Sequence, residues 1–236
     1  MRHTAIEPLF ENRYDAGRKL AEKLTAYSGQ SIVVLGIPNG GVAVAVPVAL
    51  ALNADLGLVI SRKIPIPLNP EAGFGSLTDD GTLILNEKLV KELGLTQQQI
   101  NYQVAKVREN IKERSLLYHK DRVPLSLAGR IVIIIDDGLA SGYTMRAAVE
   151  SARKQRPAKV IAAVPVGPER TIQEIAKVAD SVVVYAISRA NVFAVADYYR
   201  QWYDVPDSEV LSCLKEWRMR RNAGKIQLSE KKRKEI

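Results

Sequence analysis

The sequence predicts an α/β fold built on a doubly wound, mostly parallel sheet. Short runs rich in β-branched residues recur at 31–37, 56–61, 131–135, 159–165 and 181–185, and such runs suit strands buried on both faces. Segments with helical periodicity separate most of them, which is the alternation that parallel sheets require. No internal repeat or linker divides the 236 residues, a length that fits one large α/β domain.

Residues 10–27 read as an amphipathic helix with Phe10, Tyr14, Gly17, Leu20, Ala21 and Leu24 on one face. The strand 31–37 ends in Gly36-Ile37-Pro38-Asn39-Gly40-Gly41, and 42–52 then supplies a largely apolar helix. Residues 56–61 form the next strand. The stretch 64–80 carries Pro65, Pro67, Pro70, Gly73 and Gly75 and is too irregular for a regular element. A short strand at 82–86 precedes helices at 86–93 and 96–119. The second is long and polar, with Ile100, Val104, Val107, Ile111, Leu116 and Leu117 as its apolar stripe. Strand 131–135 leads into a helix marked by Thr144, Met145, Ala147, Ala148, Val149 and Ala152. Strands 159–165 and 181–185 flank a helix at 169–179.

Composition narrows the chemistry. No apolar run approaches the roughly 18 residues that span a bilayer, and the first residues lack the apolar core of a signal peptide. The expected location is cytoplasmic, with no membrane partner. Cys213 stands alone and the only histidines are His3 and His119, so an internal disulfide and a Cys/His zinc cluster are excluded, and two histidines argue against a histidine-based triad. The net charge of +8 is concentrated late: 215–236 holds nine basic and three acidic residues, against 25 and 23 elsewhere. A solvated basic end is the favoured reading of that tail, with nucleic-acid contact as the lesser alternative.

The run 131–145, Ile-Val-Ile-Ile-Ile-Asp-Asp-Gly-Leu-Ala-Ser-Gly-Tyr-Thr-Met, carries the strongest functional signal. A buried strand stops at two carboxylates, a loop of small and hydroxyl residues follows, and a helix begins. Loop amides and a helix N-terminus suit an anion, and Asp136 and Asp137 sit at the strand's carboxyl end, where ligands bind in open α/β sheets. Two carboxylates repel a bare phosphate but accept hydroxyls or a hydrated metal. A sugar phosphate satisfies both halves.

That run resembles the 5-phosphoribosyl-1-pyrophosphate (PRPP) signature of the type I phosphoribosyltransferases, and the resemblance extends over about 10–210. It implies one phosphoribosyltransferase-like domain over 1–212, with a small hood and a helical insertion at about 87–120, followed by a basic C-terminal helix and tail at 213–236. By resemblance, Asp136 and Asp137 hold the ribose hydroxyls, while Ala140, Ser141, Gly142, Tyr143 and Thr144 cradle the 5-phosphate. Gly138 stands where the family often has a branched apolar residue. The loop with Pro38, Asn39, Gly40 and Gly41 corresponds to the pyrophosphate loop, which in the family often contains a strained or cis peptide. The nearer resemblance is to a bacterial and archaeal group of predicted phosphoribosyltransferases whose loop reads Gly-hydrophobic-Pro-Arg-Gly-Gly. Asn39 replaces that arginine, and an amide can hydrogen-bond a phosphate without neutralising it.

Arg62 and Lys63 match a basic pair of the same group and would stabilise departing pyrophosphate. Asn69-Pro70-Glu71 matches a segment expected to belong to a mobile lid. Phe193 would meet the acceptor and Asp197 the magnesium shell. Mg2+ is the implied cofactor, shared by Asp136, Asp137 and Asp197 mainly through water. The partners implied are PRPP and a small-molecule acceptor of unassigned class, in a protein expected to be a homodimer. The leading reading is phosphoribosyl transfer from Mg-PRPP with release of pyrophosphate, with Asp136, Asp137, Arg62 and Lys63 as catalytic residues. The rival is a catalytically silent PRPP- or nucleotide-sensing regulator, touching nucleic acid through its tail. A dinucleotide-binding oxidoreductase, with Asp55 as its acidic residue, is the poorest fit, because the first loop is not Gly-x-Gly-x-x-Gly.

Overall fold

The computed structural model describes residues 7–119 and 125–234, with side chains through 118 and, in the second segment, through 223. The expectations for 1–6, which include His3, and for the side chains of His119, Lys225, Lys231, Lys232, Arg233 and Lys234 lie outside what is described.

Five parallel strands form the central sheet in the order β2-β1-β6-β7-β8: β1 (Ile32–Gly36), β2 (Asp55–Leu58), β6 (Ile131–Ile135), β7 (Lys159–Pro168) and β8 (Ser181–Ser188). Alternation along each strand splits the core in two. Val34, Ile133 and Ile161 face one layer with Leu20, Val44 and Val48, while Val33, Val132, Ile134 and Val160 face the other with Met145, Ala148 and Ala152. The first layer comes from α1 (Arg13–Lys23) and α2 (Gly40–Ala51), the second from α5 (Tyr143–Arg153), with α6 (Glu169–Ile175) beside it. Helix α7 (Asp207–Lys234) packs on α2 and sinks Val210 and Leu214 into the first layer.

The Pro- and Gly-rich stretch differs from its expectation as a loop. It forms most of a second, antiparallel sheet of β3 (Ser61–Ile66), β4 (Asn69–Thr78) and β5 (Leu83–Leu85). Pro65 and Pro67 lack N–H groups and weaken any strand signal, but the β3–β4 ladder absorbs Pro65 through register shifts on either side of it. The expected strand 56–61 is likewise divided: β2 ends at Leu58, and Ser61 already belongs to the second sheet. Residues 10–27 also shorten, because Asn12 caps α1 by accepting from the Asp15 amide, and Phe10 instead bridges to Tyr199.

The insertion consists of α3 (Glu87–Glu92) and α4 (Gln97–His119). Thr96 and Gln99 bond reciprocally at the start of α4, a capping box that fixes where the helix begins. Ile100, Val104, Val107 and Ile111 then anchor α4 against the same core layer as Ile64 and Phe74. Among the described residues no helix is long and apolar enough to cross a membrane.

Candidate active site

The carboxyl ends of β1 and β6 lie side by side, Gly36 paired with Ile135, so the loops that follow them face one another. Their contact is tight. A Cβ on Gly40 would sit 1.9 Å from Asp137 Oδ2, which is closer than any side-chain carbon can approach. Only glycine lets the first loop pass beneath the acidic pair. The Pro38–Asn39 peptide in that loop is cis.

Between these loops, β3 and α4 lies a cavity of about 450 Å³ lined by Pro38, Arg62, Lys63, Asp136 and Thr144, together with Ser61, Lys106 and Asn110. Residues predicted from three separate motifs thus share one cavity. Ser61 ties the parts together by donating to the Thr144 carbonyl at 3.0 Å, so the start of β3 is fastened to the first turn of α5.

The second loop ends at Gly142, whose φ of +82° makes a left-handed entry to α5. No side chain caps this helix. Among the described residues, the amides of Ser141, Gly142, Tyr143 and Thr144 donate to no protein acceptor. Unpaired amides at a helix N-terminus form an anion cradle. Ala140 is held at its carbonyl, which accepts from Thr171 Oγ1 at 2.9 Å.

The acidic pair divides its roles. Asp136 lines the cavity, whereas Asp137 Oδ2 accepts from Arg13 Nε at 2.8 Å. Arg13 is buried, with its guanidinium 4.0 Å from the Trp202 ring centroid and a second hydrogen bond to the Tyr203 carbonyl. Tyr199 OH donates to the Asp137 carbonyl at 2.6 Å. Burial, reinforced by the neighbouring charge of Asp137, pushes the Asp136 carboxyl well above its usual range. Burial also raises Asp137, with Arg13 opposing the rise.

Asn39 is engaged within the protein. Its amide donates to the Val205 carbonyl at 2.7 Å and to Asp207 Oδ1 at 2.9 Å, and its Oδ1 accepts from Arg114 Nη1 at 2.6 Å. Arg114 also donates to Asp207, as does Tyr118. Burial and then the charge of Arg114 hold the nearby Arg62 below its usual pKa. Gly41, in the first turn of α2, lies against Asp136. Phe193 is half-buried on Tyr198, ring centroids 5.5 Å apart, and Asp197 is exposed on the 3-10 turn Val195–Tyr198. That turn reaches the acidic loop through Val195, which packs over Gly138.

Sequence reasoning missed Arg13, Lys106, Asn110 and Arg114. Arg13 follows the Asn12 cap as an ordinary helical residue and meets Asp137 only across 124 positions. The other three lie on the polar side of a helix, where solvation is the default reading. Asp55 is taken by Arg130 and Arg221 at 2.7 and 2.9 Å. It opens β2, at the opposite end of the sheet from the cavity, which removes the dinucleotide reading.

Comparison with known proteins agrees with this geometry. A family model described as phosphoribosyl transferase domain matches residues 78–201. The Mycobacterium tuberculosis H37Rv protein named "Putative phosphoribosyl transferase Rv0571c" is 39% identical over 206 residues, covering 87% of this chain and 46% of that protein. Its counterpart MT0597 in strain CDC 1551 matches equally. The chain therefore spans about half the length of these curated relatives. The crystal structure of TT1426 from Thermus thermophilus superposes with a TM-score of 0.72 at 33% identity, covering 88% of this chain and 98% of that one. The chain belongs to the phosphoribosyl transferase domain family.

Proposed function

We propose that this chain transfers the 5-phosphoribosyl group of PRPP to a small-molecule nucleophile. The observation that carries the reading is Asp136 beside the uncapped amides of Ser141 to Thr144. A carboxylate for hydroxyls and an amide cradle for a phosphate are the two ends of ribose 5-phosphate. In the reaction the bond from the anomeric carbon to pyrophosphate breaks, and its electron pair leaves with pyrophosphate. The acceptor's lone pair forms the new bond at that carbon, and the acceptor's proton passes to solvent. Asp136 orients the ribose, and Asp137, fixed by Arg13, holds Asp136 in place. Arg62 and Lys63 face the leaving group and stabilise its charge.

Magnesium fits the site as a passenger on the substrate. Among the described residues no group of three or more acidic, histidine or cysteine side chains could hold a metal. The half-buried, mutually repelling Asp136 and Asp137 nevertheless favour a nearby cation. Mg2+ would be held by Asp136 and ligand oxygens, largely through water, and would neutralise pyrophosphate charge. Phe193 is assigned to the acceptor and Asp197 to the outer magnesium shell, since Val195 of the same segment packs over Gly138 beside the acidic pair.

The rival reading, a PRPP-sensing regulator, is favoured by one observation: the Asn39 side chain is spent on Arg114, Val205 and Asp207 rather than on a ligand. Incubating the protein with Mg-PRPP and a panel of nucleobases and amines tests the two. Pyrophosphate release that requires an acceptor is the expected result. Tight PRPP binding without release under any acceptor would favour the sensor.

A further inference from the structure

Helix α4 turns a polar row toward the cavity. Lys106, Asn110 and Arg114 are spaced four residues apart and so lie one above another on the same side of the helix. Lys106 and Asn110, with Val107 beside them, line the same cavity as Pro38 and Asp136. One turn further on, Arg114 reaches Asn39 in the first loop. The row is not free to swing away, because Val104, Val107 and Ile111 are buried in the core.

A polar helix face is most often simply solvated, yet two features set this one apart. Three cations, Arg62, Lys63 and Lys106, border the cavity against the single carboxylate of Asp136, and an occupant with several negative charges relieves their repulsion. Among the described residues Lys106 pairs with no carboxylate; its ammonium lies 5.3 Å from the Tyr102 ring centroid. Meanwhile the loop itself contributes no side-chain charge, since position 39 is an amide already engaged by the protein.

We propose that Lys106 and Asn110 bind the diphosphate group of the donor and the pyrophosphate it releases, so that the helical insertion supplies the charge the first loop lacks. The assignment rests on the PRPP reading above. Lys106 offers an ammonium to the diphosphate oxygens, and Asn110 offers its amide one turn along the same wall.

Calorimetry with two probes, magnesium pyrophosphate and ribose 5-phosphate, tests this on the wild type and on Lys106→Ala, Lys106→Arg and Asn110→Ala. Both side chains are exposed, so the variants retain the fold. Lys106→Ala is expected to weaken pyrophosphate about tenfold while ribose 5-phosphate stays within about twofold, and Lys106→Arg to retain most of the pyrophosphate affinity. Unchanged pyrophosphate affinity in Lys106→Ala, or equal loss for both probes, overturns the assignment. A wild type that binds ribose 5-phosphate but not pyrophosphate also overturns it, leaving the Asp136 reading in place. A wild type that binds neither overturns both.

Discussion

Asp136 is partly withdrawn from water and a second carboxylate is adjacent, so its ionised form is costly. Its raised pKa means that the folded state holds the proton more tightly than the unfolded chain does. Stability therefore falls as pH rises from the ordinary carboxylate range through the raised value. Asp136→Asn removes the charge and keeps an oxygen to accept from the Asp137 amide, a bond of 2.9 Å in the native chain. We expect this variant to be more stable than the wild type at neutral pH, and to lose PRPP binding. Thermal melts at pH 5 and pH 8 check the sign, because the gain should shrink at the lower pH.

Arg13→Ala should act the other way. It leaves Asp137 buried without its cation and opens the stack on Trp202, at a cost of about 3 kcal/mol. The loss should be larger at pH 8 than at pH 5, since protonating Asp137 relieves the unpaired charge. A loss independent of pH would mean that Arg13 acts through packing alone. Neither effect was legible beforehand. The adjacent acids stood out in the sequence, but their inequality comes from a residue on another helix.

At the scale of elements, the central sheet was readable because buried parallel strands are long apolar runs, and 131–135 and 159–165 could be little else. The second sheet was hidden by its prolines. An edge ladder tolerates Pro65 where a central one would not, and β3 and β4 lie outside the parallel sheet. The insertion was readable as helices but not as a wall of the site. Its docking depends on Asp207, where burial raises the carboxyl but hydrogen bonds from Tyr118 and Asn39 and the charge of Arg114 outweigh it, leaving the pKa below its usual value. This contribution is present above the ordinary carboxylate range and is lost as pH falls through the lowered value. Asp207→Asn should therefore loosen α4 against the first loop at neutral pH, seen as faster amide exchange in α4 with little change in β6. Exchange unaltered in α4 would show that apolar packing alone holds it.

For the molecule as a whole, the proposed donor site draws on elements far apart in the chain: the ends of β1 and β6, the start of α5, β3 and α4. A ligand that bridges them should stabilise the fold globally. Mg-PRPP at about a hundred times its dissociation constant should add about 2.7 kcal/mol, or about 5–10 °C in Tm for a chain of this size. Asp136→Asn should abolish that shift, although the variant starts from a higher Tm without ligand.

The most direct test is a crystal structure of the chain with Mg-PRPP. The 5-phosphate should lie about 3 Å from the amides of Ser141 to Thr144, with the ribose hydroxyls on Asp136 and the diphosphate toward Arg62 and Lys106. A phosphoribosyl group bound elsewhere, or an α5 N-terminus left to solvent with the ligand present at saturating concentration, would contradict the account.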